Sequence, residues 1–311
     1  EVITNSAGGS VWANDNKTLF YTRKNPNTLR SESIYKHILG TDPAQDVEVF
    51  FEKDDTYSVY VTKSKSEEYL IINSYSTLST EYQILAADTP EGEFKVFQTR
   101  ERDLEYDISH YGDNFYILTN KDKATNFKIM KTPETATSKE NWTDVIAHRD
   151  DVLLEDMSLF KEFMVLEERN NGLNKIRIIR WDAQEDYYLP FNEETYSAST
   201  LANPDFDTHW LRYTYNSLTT PSSVIDFNMF DKTFEIKKEQ IILGGKFDKN
   251  NYTSERLWAT AQDGKKIAIS LVRRKDTPLS PDTPLLLYAY GSYGYTIYPN
   301  FSSTRLSILE R

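Results

Sequence analysis

The sequence predicts a mainly β fold, in which about five blades of a β-propeller are followed by the start of an open α/β domain. Three observations predict this fold. Tyr, Phe and Trp make up 14% of the 311 residues, a composition that favours strands. Short runs of alternating hydrophobicity recur in sets of four about every 40–50 residues, the spacing of propeller blades. Near the end of the sequence, an aliphatic run leads into a turn rich in Gly and Tyr.

The predicted strands fall into five sets of four, taken here in chain order. The first set is Gly9–Ala13, Thr18–Arg23, Ser33–Leu39 and Val47–Glu52, and the second is Tyr57–Lys63, Glu68–Tyr75, Glu81–Ala87 and Phe94–Thr99. The third is Leu104–His110, Asn114–Thr119, Phe127–Thr132 and Trp142–His148, and the fourth is Leu153–Phe160, Glu162–Glu168, Lys175–Trp181 and Asp186–Phe191. The fifth, with a weaker pattern, is Thr195–Leu201, Trp210–Tyr215, Ser222–Asn228 and Glu235–Leu243.

The residues between these strands favour tight reversals. Asn14-Asp15-Asn16, Gly112-Asp113-Asn114 and Asn170-Asn171-Gly172 suit hairpin turns, because Asn, Asp and Gly tolerate the backbone conformations that such turns require. The repeat is one of structure and not of sequence, since no Trp-Asp dipeptide recurs in register. An array of two β-sandwiches is the competing fold.

A second domain is predicted to begin near residue 246, so that residues 1–245 form the partial propeller and residues 246–311 the second domain. Residues 257–273 are typical of a hairpin with an Asp263-Gly264 turn. The aliphatic residues of 284–290 suit a strand buried on both faces. Gly291 and Gly294 follow it, at the position where an open α/β enzyme places a ligand-facing loop.

The net charge of the chain limits the classes of partner that it is expected to bind. The net charge of −12, from 48 acidic and 36 basic side chains, argues against a nucleic-acid partner, which needs a basic face. An acidic cleft attracts cationic ligands, although the same charge also serves solubility.

No apolar run reaches the ~20 residues of a membrane span, so no membrane partner is expected. The absence of Cys makes a reducing compartment, the cytoplasm, the simplest localisation. The sequence starts at Glu1 with neither an initiator Met nor a signal-peptide pattern, so we expect its N-terminus to be an internal cut in a longer chain.

Three segments carry a resemblance to a known family. They are residues 11–21 (VWANDNKTLFY), residues 254–264 (SERLWATAQDG), and residues 287–294 (LYAYGSYG) followed by Pro299-Asn300-Phe301. With these segments the chain resembles the prolyl oligopeptidase family of serine peptidases over essentially its whole length. The first segment and the Tyr293-Gly294 ending resemble the oligopeptidase B branch, whose members cleave peptides after Arg or Lys.

The resemblance implies a seven-bladed propeller that caps an α/β-hydrolase domain and admits short peptides with basic residues. It implies that the nucleophilic Ser, the Asp and the His lie outside these 311 residues, so that the chain alone is inactive and its exposed strands favour self-association. One catalytic residue is implied within the chain: Tyr290, the second Tyr of the family's Tyr-x-Tyr-Gly turn, as a donor to the oxyanion. Tyr293 is a weaker candidate for lining the substrate cavity. No cofactor and no metal are implied.

Other candidate sites lack the pattern that their chemistry needs. Ser10 and Ser292 each miss a glycine of the G-x-S-x-G nucleophile elbow. The histidines, which are His37, His110, His148 and His209, are spread over the repeats without metal-binding spacing, and we expect all of them to be structural. The acidic clusters 52–55 and 167–168 are expected to be exposed turns.

Two other functions remain open from the residues alone. A non-enzymatic propeller scaffold is the main alternative, because fold does not fix function. A glycosidase would need two inward carboxylates at a suitable separation, which the sequence does not reveal. The hydrolase-like hairpin and strand after the last blade favour the peptidase.

Overall fold

The computed structural model describes residues 3–243 and 247–311, and nearly all of the regular structure there is β-strand. Five antiparallel sheets of four strands follow one another along the chain, each with its strands in sequence order. A two-stranded hairpin and one short helix come after them. Every strand of the five predicted sets is present, with ends that shift by a few residues, so the predicted repeat of four-stranded units is confirmed.

The strands have these bounds. The first sheet contains β1 (Ser6–Trp12), β2 (Thr18–Lys24), β3 (Ser31–Ile38) and β4 (Val47–Phe51), and the second contains β5 (Ser58–Lys63), β6 (Tyr69–Tyr75), β7 (Thr80–Ala86) and β8 (Lys95–Gln98). The third contains β9 (Tyr106–Tyr111), β10 (Asn114–Thr119), β11 (Lys128–Pro133) and β12 (Thr143–Ile146), and the fourth β13 (Val152–Leu159), β14 (Phe163–Asn170), β15 (Leu173–Arg180) and β16 (Asp186–Tyr188). The fifth contains β17 (Tyr196–Thr200), β18 (Trp210–Ser217), β19 (Ser223–Asn228) and β20 (Phe234–Glu239).

The remaining elements follow the fifth sheet or connect strands. The hairpin consists of β21 (Tyr252–Thr260) and β22 (Lys266–Arg274), and the helix is α1 (Ser303–Leu309). Single 3-10 turns occupy Pro43–Gln45, Lys121–Lys123, Lys139–Asn141 and Lys249–Asn251. None of the helices in the described ranges is long and apolar enough to cross a membrane.

The chain divides into two compact units, which are Glu1–Lys161 and Glu162–Arg311. The domain boundary predicted at residues 245/246 lies outside the described residues, because 244–246 are not described.

Turn residues fix the strand register as the sequence predicts. Asn171 and Gly172 link β14 to β15 with φ values of 52° and 71°, as in the Asn-Gly turns that match the twist of a hairpin. Gly112 and Asp113 link β9 to β10, and Gly112 likewise has a positive φ. A two-residue loop leaves no freedom to slip, so the side chains that face the core are determined by the turn.

The core of the first unit lies between neighbouring sheets and is rich in aromatic side chains. One cluster joins the second and third sheets around Phe97, Phe115 and Trp142, with the Phe97 and Phe115 rings 5.0 Å apart and nearly perpendicular. A second cluster joins the first and second sheets around Phe20 and Leu70. Each strand contributes one face of apolar side chains to these clusters, because every second residue of a strand points to the same side.

The acidic clusters are not simple exposed turns, and this prediction is wrong for their key members. Glu52 is only 4% exposed and accepts a hydrogen bond of 2.6 Å from Arg100, which also donates to Glu81 at 3.1 Å. Glu168 lies inside β14, fully buried, and accepts hydrogen bonds from Arg177 at 3.3 Å and from the Tyr188 hydroxyl at 2.6 Å. The sequence shows the acids but not the cations that the fold brings to them, and a paired carboxylate can be buried.

Candidate active-site turn

The segment 284–299 contains the predicted site residues, and the structure assigns no helix or strand to it. The predicted strand buried on both faces is wrong. Leu285, Leu286 and Leu287 are 74%, 68% and 76% exposed. No strand in the described part of the chain pairs with this segment, and a strand buried on both faces requires neighbours. The leucines therefore form an exposed apolar run.

The turn after this run is built by residues 292–295. The Tyr295 amide donates a hydrogen bond of 3.1 Å to the Ser292 carbonyl oxygen. Tyr293 and Gly294 both have positive φ, 56° and 65°, which glycine tolerates and tyrosine rarely adopts. The Tyr293 side chain is 98% exposed, so the described residues do not enclose it in a cavity. Its predicted role in substrate binding stays a prediction.

Tyr290 lies beside this turn, with half of its surface exposed. Its ring packs edge-on against the ring of Tyr295, with a centroid distance of 5.5 Å and an interplanar angle of 84°. The packing orients the ring, while the hydroxyl has no hydrogen-bond partner among the described residues. A tyrosine hydroxyl with a fixed ring and a free proton is suited to donate to a developing negative charge.

Two residues that the sequence did not single out, Arg169 and Asn216, hold the segment after the turn against strands β14 and β18. Arg169, at the end of β14, donates hydrogen bonds to the Thr296 and Tyr298 hydroxyls. Asn216 in β18 accepts a hydrogen bond of 2.9 Å from the Phe301 amide. No sequence signal marks Arg169 or Asn216, because both look like ordinary strand residues until the fold places the later segment beside them.

The hairpin β21–β22 is fastened to the same unit at the turn between β14 and β15. Arg256 donates a hydrogen bond of 2.8 Å to the Asn171 carbonyl oxygen, and its own amide donates to Glu194 at 3.1 Å. A Cβ atom on Gly172 would lie 2.6 Å from a guanidinium nitrogen of Arg256. Gly172 thus serves both the left-handed turn and the close approach of the hairpin.

We expect Gly172→Ala to lower the free energy of unfolding by about 2 kcal/mol, because the left-handed backbone costs about 1 kcal/mol and the displaced Arg256 hydrogen bond costs about another. Gly264→Ala is the matched control, since Gly264 has a φ of 84° and no atom within 4 Å of the added Cβ. Urea unfolding of both variants measures the difference. Equal losses in the two variants would show that the Arg256 contact contributes nothing.

The four histidines differ in their surroundings, and two of them, His37 and His110, are buried. The His37 imidazole lies 2.7 Å from the Asp46 carboxylate, and both side chains are buried. His110 is fully buried between the rings of Tyr69 and Phe115. The Ser66 hydroxyl lies 2.9 Å from the His110 ring, but a buried imidazole cannot reach a substrate. His148 accepts a hydrogen bond from the Asn126 amide, and His209 packs against Trp210.

No group of three or more His, Cys, Asp or Glu side chains that could hold a metal ion occurs in residues 3–243 or 247–311. The candidate site is therefore described by Tyr290 and the turn 292–295.

Comparison with known families gives one match over most of the chain. The model described as "Prolyl oligopeptidase, N-terminal beta-propeller domain" matches residues 1–240. The curated relatives include dipeptidyl aminopeptidase BI of Pseudoxanthomonas mexicana, 43% identical over 100% of this chain and 43% of the relative. Protease 2 of Moraxella lacunata is 29% identical over 98% of this chain and 43% of the relative.

Solved structures agree with these matches. Oligopeptidase B from Trypanosoma brucei, in a closed form with covalently bound antipain, superposes with a TM-score of 0.90 and 31% identity over 99% of this chain and 45% of that one. Oligopeptidase B from Leishmania major gives a TM-score of 0.88 and 29% identity over 98% of this chain and 44% of that one. The chain spans less than half the length of these relatives.

Proposed function

The chain belongs to the prolyl oligopeptidase family of serine peptidases, and its five sheets are blades of that family's propeller; from this premise we propose that the protein hydrolyses short peptides after Arg or Lys. In this proposal residues 246–311 begin the α/β-hydrolase domain, and the propeller admits peptides while hindering folded proteins. The net charge of −12 favours basic substrates, because an acidic cleft concentrates cationic partners.

The observation that carries the proposal is the free hydroxyl of Tyr290 beside the turn 292–295. In acyl transfer, a Ser hydroxyl attacks the peptide carbonyl, a His accepts the Ser proton and passes it to the leaving amine, and an Asp orients the His. These three residues would come from sequence beyond the 311 residues. Tyr290 would donate its hydroxyl proton in a hydrogen bond to the oxygen that becomes negative in the tetrahedral intermediate.

The exposed run at residues 284–290 supports the assignment of this part of the chain to a larger domain. Leu285, Leu286, Leu287 and Tyr288 are each more than two-thirds exposed, which is unfavourable for a soluble protein unless further strands cover them. In this proposal, further parts of the hydrolase domain would supply that cover. Without such cover, the same surface predicts self-association of the chain.

A second candidate activity comes from one relative. The name dipeptidyl aminopeptidase BI, borne by a relative 43% identical to this chain, describes removal of dipeptides from a free amino terminus. The two candidates differ in whether a substrate must present that free amine.

The test uses the full-length protein with fluorogenic dipeptide amides in matched pairs. One pair ends in Arg-amide and Gln-amide with blocked amino termini, and the other pair carries free amino termini. Hydrolysis of the blocked Arg substrate, with the Gln substrate at least about tenfold slower in kcat/KM, is the expected result. Hydrolysis of the free-amine substrates alone would replace the proposal with the dipeptidyl activity. No hydrolysis of any substrate would favour the non-enzymatic scaffold.

A further inference from the structure

A row of polar side chains crosses the second sheet at one register position. Tyr60 of β5 lies opposite Asn73 of β6, which lies opposite Tyr82 of β7. The Asn73 side-chain amide donates hydrogen bonds to both tyrosine hydroxyls, at 2.7 Å and 2.8 Å. Directly opposed residues share a face of the sheet, so the three groups project to the same side.

The row ends at a carboxylate from the neighbouring sheet. Asp107 of β9 accepts a hydrogen bond of 2.7 Å from the Tyr82 hydroxyl and one of 2.8 Å from the Ile108 amide, both on the same carboxylate oxygen. Its second oxygen has no hydrogen-bond partner in residues 3–243 and 247–311, and no Lys, Arg or His nitrogen there lies within 4.0 Å of it. Asp107 is exposed to solvent. The chain thus presents an anchored carboxylate without a cation.

Two tyrosine rings on this face are exposed, one from the row itself and one next to it. Tyr60 is 39% exposed and Tyr75 is 44% exposed, and their rings pack edge to face at 5.6 Å. Tyr75 follows Asn73 by two residues on β6, so it faces the same side. Exposed aromatic faces beside a carboxylate are the surroundings that bind guanidinium and ammonium groups, through cation–π contact and a charge-assisted hydrogen bond.

We propose that Tyr60, Tyr75 and Asp107 form a subsite that binds the basic side chain of an Arg- or Lys-containing peptide. The exposed rings would cover the apolar stem and the face of the cation, while the free oxygen of Asp107 accepts its N–H donors. The biological meaning of the subsite rests on the proposed peptidase function, because it would hold basic peptides on the propeller at a residue other than the one cleaved.

The pKa shifts of the row show that the surroundings of Asp107 disfavour its charged form. Desolvation by the surrounding protein raises the pKa of the Asp107 carboxyl, and the hydrogen bonds from Tyr82 and Ile108 lower it in part. Burial raises the pKa of Tyr60 and of Tyr82, and the charge of Asp107 raises both further. A bound cation would offset the unfavourable surroundings of the Asp107 charge.

The experiment uses the full-length protein and N-acetyl-arginine amide carrying a diazirine on its C-terminal amide. After irradiation, mass spectrometry maps the labelled residues, which separates this subsite from the catalytic site. We expect labelling in the peptides that contain Tyr60, Tyr75 or Asp107. Unlabelled N-acetyl-arginine amide should compete, and the neutral isostere N-acetyl-citrulline amide should not.

Asp107→Asn should reduce this labelling about tenfold, because a neutral amide loses the charge-assisted hydrogen bond but still accepts from Tyr82 and Ile108. Tyr75→Leu, which removes a ring without breaking a described hydrogen bond, should reduce it several-fold. Asp113→Asn, at the exposed turn after β9, is the matched control and should leave labelling unchanged.

Absence of labelling at these residues, or equal labelling by the citrulline probe, would overturn the subsite. Hydrolysis of Arg substrates without this labelling would leave the proposed function standing alone. Labelling without hydrolysis would leave the subsite standing and refute the peptidase.

Discussion

Arg100→Met is expected to lower the free energy of unfolding by about 3–5 kcal/mol, because it leaves two buried carboxylates without their cation. Glu52 and Glu81 are 4% and 8% exposed, and the Arg100 guanidinium donates to both while lying 4.0 Å from the centre of the Tyr57 ring. Burial by itself lowers the pKa of Arg100, but its hydrogen bonds to the two glutamates raise that pKa above the ordinary value.

Urea unfolding compares this variant with Arg102→Met, the same change two residues along the chain. The Arg102 side chain is 94% exposed and its nearest carboxylate, on Asp103, is 3.8 Å away, so the control should cost less than about 0.5 kcal/mol. Adding Glu52→Gln and Glu81→Gln to Arg100→Met should restore part of the loss, since neutral amides tolerate burial without a cation. A cost below 1 kcal/mol for Arg100→Met would contradict the argument.

Tyr290→Phe in the full-length enzyme is expected to lower kcat about 10²–10³-fold and to change KM little. The hydroxyl is the only group removed, and a donor to an oxyanion acts in the transition state more than in the bound substrate. The ring stays oriented, because Phe retains the edge-on packing against Tyr295.

Steady-state kinetics with a blocked Arg substrate measures both constants. Tyr295→Phe is the matched control: it keeps the other ring of the pair and should change kcat by less than about twofold. An unchanged kcat in Tyr290→Phe would remove Tyr290 from the reaction. A rise in KM at constant kcat would instead make it a substrate-binding residue, through interactions equal in substrate and transition state.

The polar row that leads to Asp107 shows why the sequence did not predict the basic subsite. Tyr60, Asn73 and Tyr82 are separated by 13 and 9 residues, and each alone is an unremarkable strand residue. Strand register places them in one row, and packing of the next sheet adds Asp107. A pattern search along the chain does not find such a row, because cross-strand neighbours have no fixed spacing in sequence.

The sequence by itself determined the elements of this protein and its family. Alternation and turn residues predicted every strand of the five sheets, since the period of two and the left-handed turns at Gly172 and Gly112 are local properties of the chain. The family was identified from three segments, which are residues 11–21, 254–264 and 287–294. The same resemblance singled out Tyr290 as the candidate donor to the oxyanion.

Only the tertiary structure decided which charges are buried and which apolar residues are exposed. The sequence predicts Glu52 and Glu168 to be surface acids, yet both are buried because Arg100 and Arg177 approach them from other parts of the chain. The sequence predicts that Leu286 is a core residue, yet it is exposed, because no described strand pairs with its segment. Alternation and turn residues are local properties of the chain, whereas strand pairing and burial depend on partners across space, and those partners are fixed only when the sheets assemble.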